Sequence, residues 1–253
     1  MRTIIVALFA TVLSAGVAKA EGINLSWDDC GAAGSIAKSF SCGVNSGHES
    51  LVMSFEAPAA LDSVCGFQGS MDISFGTEVP DWWRISARGI PDNQLPFPPC
   101  RDTSGLSIVH DPGSQSCPRA FGDFPPFVLG QSDGIRLIIS QYSGDIHRTR
   151  VVFEGFVSTD PRAIAMGIEY YGFTLQLGHV KSTSTGACSG CSEPGCVVVN
   201  ELKLFGGDCN ASLVMINPLQ RSHVLWQADA IADCPLSTPS KSSTWGRVRS
   251  LYR

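Results

Sequence analysis

The chain has 253 residues, among them 26 glycines, 15 prolines and 10 cysteines, and a formal net charge of -5. Only 16% of its residues are charged and no basic run occurs, which excludes a nucleic-acid binder, because phosphate backbones demand a positive footprint. The same balance excludes electrostatic docking on anionic lipid.

The opening segment, MRTIIVALFATVLSAGVAKA, reads as a secretory signal peptide over residues 1–20. Arg2 supplies the positive end, Ile4 to Val17 is mostly apolar, and Ala18-Lys19-Ala20 is a small-x-small cleavage site. As a helix the apolar run reaches about 21 Å, short of a hydrocarbon core of about 30 Å. The expected mature chain starts near Glu21 and has no transmembrane segment after cleavage. It is secreted or held at the cell surface, and periplasmic if the source is Gram-negative. Residues 21–236 read as one domain and 237–253 as a polar C-terminal tail, with Trp245, Leu251 and Tyr252 able to re-dock on the body.

Strand signals dominate the mature chain. Ser50 to Phe55 is short and apolar, and Val64 to Phe75 alternates loosely. Pro91 to Pro126 is rich in proline, which denies donors to a ladder, so it reads as ordered loop with one strand at Gly105 to His110. Ile135 to Tyr142 and Arg150 to Val157 flank a turn at Ser143-Gly144-Asp145 and predict a hairpin. Glu169 to Lys181 alternates with period two. That period places Tyr171, Phe173, Leu175, Leu177 and His179 on one side, and Tyr170, Thr174 and Gln176 on the other. In Val197 to Phe205 the same reading sets Val198, Leu202 and Leu204 opposite Glu201 and Lys203. Leu213 to Ile216 and His223 to Trp226 add two short strands. Single helical turns are expected only at Pro58 to Val64 and Asp160 to Met166.

Such turns cannot supply the crossovers of a βαβ fold, so a sheet must bury its apolar face against another sheet. The predicted fold is all-β: a disulfide-stapled antiparallel β-sandwich, a jelly roll being one form of it, with a proline-rich ordered loop region around residues 90–127.

All ten cysteines, Cys30, Cys42, Cys65, Cys100, Cys117, Cys188, Cys191, Cys196, Cys209 and Cys234, lie beyond the signal segment. An even number in an exported chain implies disulfides, up to five of them. Three crowd into GACSGCSEPGC. A zinc site from Cys188, Cys191, Cys196 and Cys209 would have knuckle spacing in its first pair but not in its second. A redox CxxC needs a helix after it, and Ser192-Glu193-Pro194-Gly195 is a turn leading into a β-branched run. A stapled turn fits best. Cys188 with Cys191, or either with Cys196 or Cys209, all remain open, and Cys100 and Cys117 are expected to pin the proline-rich stretch.

Chemistry-bearing residues are few. Gly130-Gln131-Ser132-Asp133-Gly134 matches the G-x-S-x-G pattern, but strand comes next where an esterase elbow needs helix, so Ser132 reads as a turn residue. A hydrolase would need His147, His179 or His223 as base. Asp81-Trp82-Trp83-Arg84 is the strongest ligand candidate. If it were strand, one tryptophan would face the core and the other would offer an open ring to a sugar, with Arg84 as a donor and Tyr170 or Trp226 as further contacts. Asp28, Asp29, Asp72 and Asp160 lack the spacing of a calcium loop, and no HExxH pair occurs, so neither metal nor cofactor is expected. Asn24-Leu25-Ser26 and Asn210-Ala211-Ser212 match glycosylation acceptors.

The segments GINLSWDDCG, KSFSCGVNSG and LVMSFEAP, with the turn from Cys188 to Cys196 before an apolar strand, resemble a group of uncharacterised exported bacterial proteins with an NLSW-x-x-C mature start. The resemblance implies shared structural motifs and no activity. The reading is therefore a secreted surface or extracellular structural or interaction protein, with an extracellular or cell-surface protein or a glycan as partner. Carbohydrate binding through an exposed tryptophan and serine hydrolysis through Ser132 are the alternatives.

Overall fold

The computed structural model describes residues 22–86, 98–102, 105–110, 113–121, 134–141, 145–156, 161–206, 209, 211–228 and 234, with 134–141 and 211–212 described as backbone. The signal segment, the tail, Asn210, Asp160 and Ser132 lie outside them. Among the described residues twelve strands form two sheets. The small sheet runs β1 (Gly22–Trp27), β3 (His48–Glu56), β9 (Glu169–Gly178), β5 (Leu106–Val109). The large one runs β2 (Ala37–Lys38), β12 (His223–Trp226), β10 (Gly195–Gly206), β4 (Leu61–Phe75), β7 (Arg148–Phe156), β6 (Gly134–Gln141). β11 (Ala211–Met215) pairs with β10, and β8 (Arg162–Ile164) with β4. All pairings are antiparallel except the short parallel one between β2 and β12.

The alternation read from the sequence builds the core. Ile23, Leu25 and Trp27 on β1, Leu51, Met53 and Phe55 on β3, and Phe173, Leu175 and Leu177 on β9 face Phe67, Met71 and Ile73 on β4 and Val151 and Phe153 on β7. Each such side chain withdraws enough apolar surface to contribute about 1.5–3 kcal/mol. The predicted β6–β7 hairpin and the strands at β5, β11 and β12 are present. From the proline-rich stretch, Leu106 and Phe121 enter the core, and Phe121 packs on Phe55 and Phe67.

Two expected helical turns are strand instead: Leu61 to Val64 opens β4, and β8 occupies Arg162–Ile164, because the two segments pair with each other. Two expected phases are also corrected. The ladder between β3 and β9 slips after Met53, which faces Phe173 while Ser54 faces Tyr171, leaving Gly172 as the extra residue of a bulge. Tyr170 therefore enters the main core, and Tyr171 joins Cys30 and Val52 on the outside of the small sheet. A second slip between Val199 and Glu201 puts Val197, Val199, Leu202 and Leu204 together in the core, with Val198 outside.

Five disulfides use all ten cysteines: Cys30–Cys117, Cys42–Cys191, Cys65–Cys209, Cys100–Cys188 and Cys196–Cys234. None closes the local CxxC. Cys188 and Cys191 instead reach back to Cys100 and Cys42, so the turn joins two remote loops. Cys100 and Cys117 do pin the proline-rich stretch, each to a different part of the body.

Candidate interaction surface

Asp81-Trp82-Trp83 is a 3-10 turn rather than strand, so its side chains do not alternate between core and solvent. Trp82 and Trp83 are 0% and 1% exposed. They pack with Trp226, at ring separations of 5.4 and 5.2 Å, and Trp226 packs on Trp27 at 5.6 Å. Trp82 Nε1 donates to Ser182 Oγ, and Trp226 Nε1 to the Cys191 carbonyl. The open ring expected for a sugar is absent at this pair. Arg84 is committed as well, bound to Glu78 at 2.7 Å, to Asp81 at 2.9 Å and to the Val79 carbonyl. The Tyr170 hydroxyl accepts from the Ala165 amide at 2.9 Å, and its ring lies in the core.

Sequence reasoning missed Arg101. Its guanidinium lies 3.7 Å from the Trp82 ring and donates through Nη2 to the carbonyls of Gly105 and Gly178. Burial lowers its pKa to about 10 against the favourable charge of Asp102. A side chain at Gly105 would collide with it, since a Cβ there would lie 2.2 Å from Nη2. The adjacent polar chain holds loop to sheet. His179 stacks on Phe40 at 4.1 Å, and its two ring nitrogens meet the Ser46 carbonyl and the Glu49 carboxylate. Glu49 in turn binds Lys38, which also binds Asp28. Burial opposes the Lys38 charge, but bonds to Asp28 and Glu49 outweigh it and raise its pKa.

The remaining candidates are scattered. His147 Nδ1 meets the Thr77 carbonyl at 2.7 Å. His223 is held below its ordinary pKa by burial and by Arg221. Asp29 accepts from the amides of Cys30 and Ser116, while Asp72 is paired with Arg150, so the acidic residues considered for calcium are not gathered. Asn24 is 0% exposed and bonded to Glu169, Gln220 and Arg221, which makes it a structural residue and withholds it from glycosylation.

What stays open is an edge. Among the described residues β11 pairs with β10 alone, and two apolar side chains at its end are half exposed, Val214 within it at 50% and Ile216 just beyond it at 47%. Cys65–Cys209 ties the turn before it to β4. A rigid strand with unpaired backbone groups is a template for another chain, and natural proteins usually blunt such edges with charge.

No protein-family model matches the chain, and no curated protein is similar to it. Among solved structures it is similar to the cohesin module from Clostridium perfringens ATCC13124 family 33 glycoside hydrolase. The two share 7% identity at a TM-score of 0.28, covering 79% of this chain and 98% of that one. A match that loose carries no inference about a partner.

Proposed function

We propose that the protein is an exported structural or interaction component that works by its surface without catalysis, and that an extracellular or cell-surface protein pairs with the free edge of β11. The observation that carries this reading is a contrast in exposure. The candidate ligand residues Trp82, Trp83, Arg84 and Tyr170 are spent on the fold, while Val214 on β11 and Ile216 just beyond it stand half exposed at a strand that has β10 alone as its partner among the described residues. Five disulfides fit an oxidising compartment and suit a surface that must stay rigid outside the cell. A glycan partner would need an open aromatic face, and the four tryptophans among the described residues are all buried.

The test is envelope retention in the source cells. The wild-type protein is expected to be held at the envelope, and the V214K/I216K variant to be released about fivefold or more, as for truncation of an interface anchor. Equal retention of the two, or a wild type found only in the medium, overturns the edge assignment. Labelling by a serine-directed probe that disappears in Ser132→Ala overturns the non-catalytic reading.

A further inference from the structure

The outer face of the large sheet is buried where a sandwich should meet water. Ser70, Asp72 and Ser74 on β4, Arg150, Val152 and Glu154 on β7, and Cys196 and Val198 on β10 are all 8% exposed or less. By register these residues point away from the core that Met71, Ile73, Val151 and Val197 build. Ser70 Oγ, Ser74 Oγ and Asn200 Nδ2 are buried without a hydrogen-bond partner. At one end of the face Ala37 and Cys234 pack on Cys196, Val198 and Leu225. At the other end the Phe156 and Phe205 rings lie 5.2 Å apart, Lys203 stands over Phe205, and Val214 is opposite Lys203 in the ladder.

We propose that residues 235–253 cover this face, leaving Cys234 at its Cys196 end and setting Trp245 on the patch of Phe156 and Phe205. Three observations support that occupant. The Cys196–Cys234 disulfide fixes the start of the segment on the face. The reach is sufficient: Cys234 to Trp245 extends to about 36 Å, while the face from Ser74 to Gly66, the partners of Cys196 and Phe205, is about 27 Å long. The charge is complementary to the body as a whole. The segment carries Lys241, Arg247, Arg249 and Arg253 and no acid, while 23 acidic and 14 basic residues precede it. On the face itself Asp72, Glu154 and Glu201 stand with Arg148, Arg150 and Lys203. Phe156 and Phe205 belong to β7 and β10, so a cover on them leaves Val214 and the edge of β11 free, and this proposal stands apart from the edge pairing.

The test uses the mature chain with its disulfides intact. The other four tryptophans are buried, so the difference between wild type and Trp245→Phe isolates the Trp245 fluorescence. Expected is a blue-shifted, acrylamide-protected signal and tryptic cleavage after Arg247 and Arg249 about tenfold slower than in a free peptide of residues 235–253. Phe205→Asp is expected to remove both protections while near-ultraviolet circular dichroism of the core is unchanged. A variant that fails to fold is replaced by Phe156→Asp, at the other ring of the pair. Cleavage of the wild type at the peptide rate overturns the proposal. So does protection that appears only as protein concentration rises, because the cover would then be a second copy.

Discussion

The outer faces of the two sheets solve one problem with different parts. On the small sheet the cover is made of short-range polar contacts and one disulfide. Cys30–Cys117 lies over Val52 and Tyr171, the Tyr171 hydroxyl donates to Val109 O or Thr174 Oγ1, and Asn24 is bonded to Glu169, Gln220 and Arg221. On the large sheet the middle is ionic, with Arg150 bidentate on Asp72 at 2.6 and 2.9 Å and Arg148 at 3.6 Å, and covalent stitches stand at its ends, Cys196–Cys234 at one and Cys65–Cys209 at the other. A sandwich needs alternation to fill its centre, but what lies outside each sheet has to be specified residue by residue. Here the small sheet has many weak specifications and the large sheet a few strong ones.

Removing the stitches is the strongest way to challenge that contrast. Chain entropy assigns about 4.6 kcal/mol to Cys30–Cys117, which spans 87 residues, and about 3.9 kcal/mol to Cys196–Cys234, which spans 38. Urea unfolding of the two paired Cys→Ser variants is expected to show nearly equal losses. A loss at Cys196–Cys234 of less than about half the other would mean that the large face keeps its cover without the tether. Next in size is Asp72→Ala, which takes the bidentate carboxylate from the buried Arg150 guanidinium and is expected to cost about 3–5 kcal/mol by the same assay. A loss below about 1 kcal/mol would show that water reaches the pair and that the face is open. Gly172→Ala probes the small sheet at its bulge. A Cβ there would lie 2.8 Å from the Met53 methyl carbon and 3.1 Å from its carbonyl, so about 1–3 kcal/mol is expected, read as a fall in the urea midpoint at constant slope.

The bulges also show where the sequence is legible and where it stops being so. Period two found most strands, including β5, β11 and β12, because alternation depends only on neighbours in the chain. It placed Tyr170, Tyr171 and Val198 on the wrong sides because a bulge inserts one residue, and the partner strand, not the local sequence, decides where. The signal at Gly172 was available in principle, since a glycine inside an alternating run often marks a bulge. The Trp82–Trp83 pair failed for a related reason. Pro80 and Asp81 start a 3-10 turn, which suspends alternation, so both rings turn inward. The cysteine count announced the disulfides, but the links of Cys188 and Cys191 to Cys100 and Cys42 span 88 and 149 residues, distances over which no local pattern can speak. Arg101 gave no signal at all, because its role rests on Trp82 and on carbonyls at Gly105 and Gly178.

The smallest expected effect tests whether the small face is held by charge. Burial would raise the Asp29 pKa, but the amides of Ser116 and Cys30, each at 2.7 Å, outweigh it and hold the carboxyl below its ordinary value. Because the folded pKa is depressed, the contribution is present in full above the unfolded pKa of about 3.9 and is lost as pH falls through the folded value. Solvent screening keeps it below about 1 kcal/mol. Asp29→Asn keeps an acceptor oxygen for the two amides and removes only the charge. Its stability deficit against wild type is therefore expected to be present at pH 6 and to vanish by about pH 2, read from thermal midpoints across that range. A deficit that does not change with pH would mean that the geometry of the two amides, and not the ionised carboxylate, holds the loop beside Cys30–Cys117. The Asp29 contact of the small face would then act by geometry alone, in contrast to the ionic centre of the large sheet, where Asp72 faces Arg150 and Arg148.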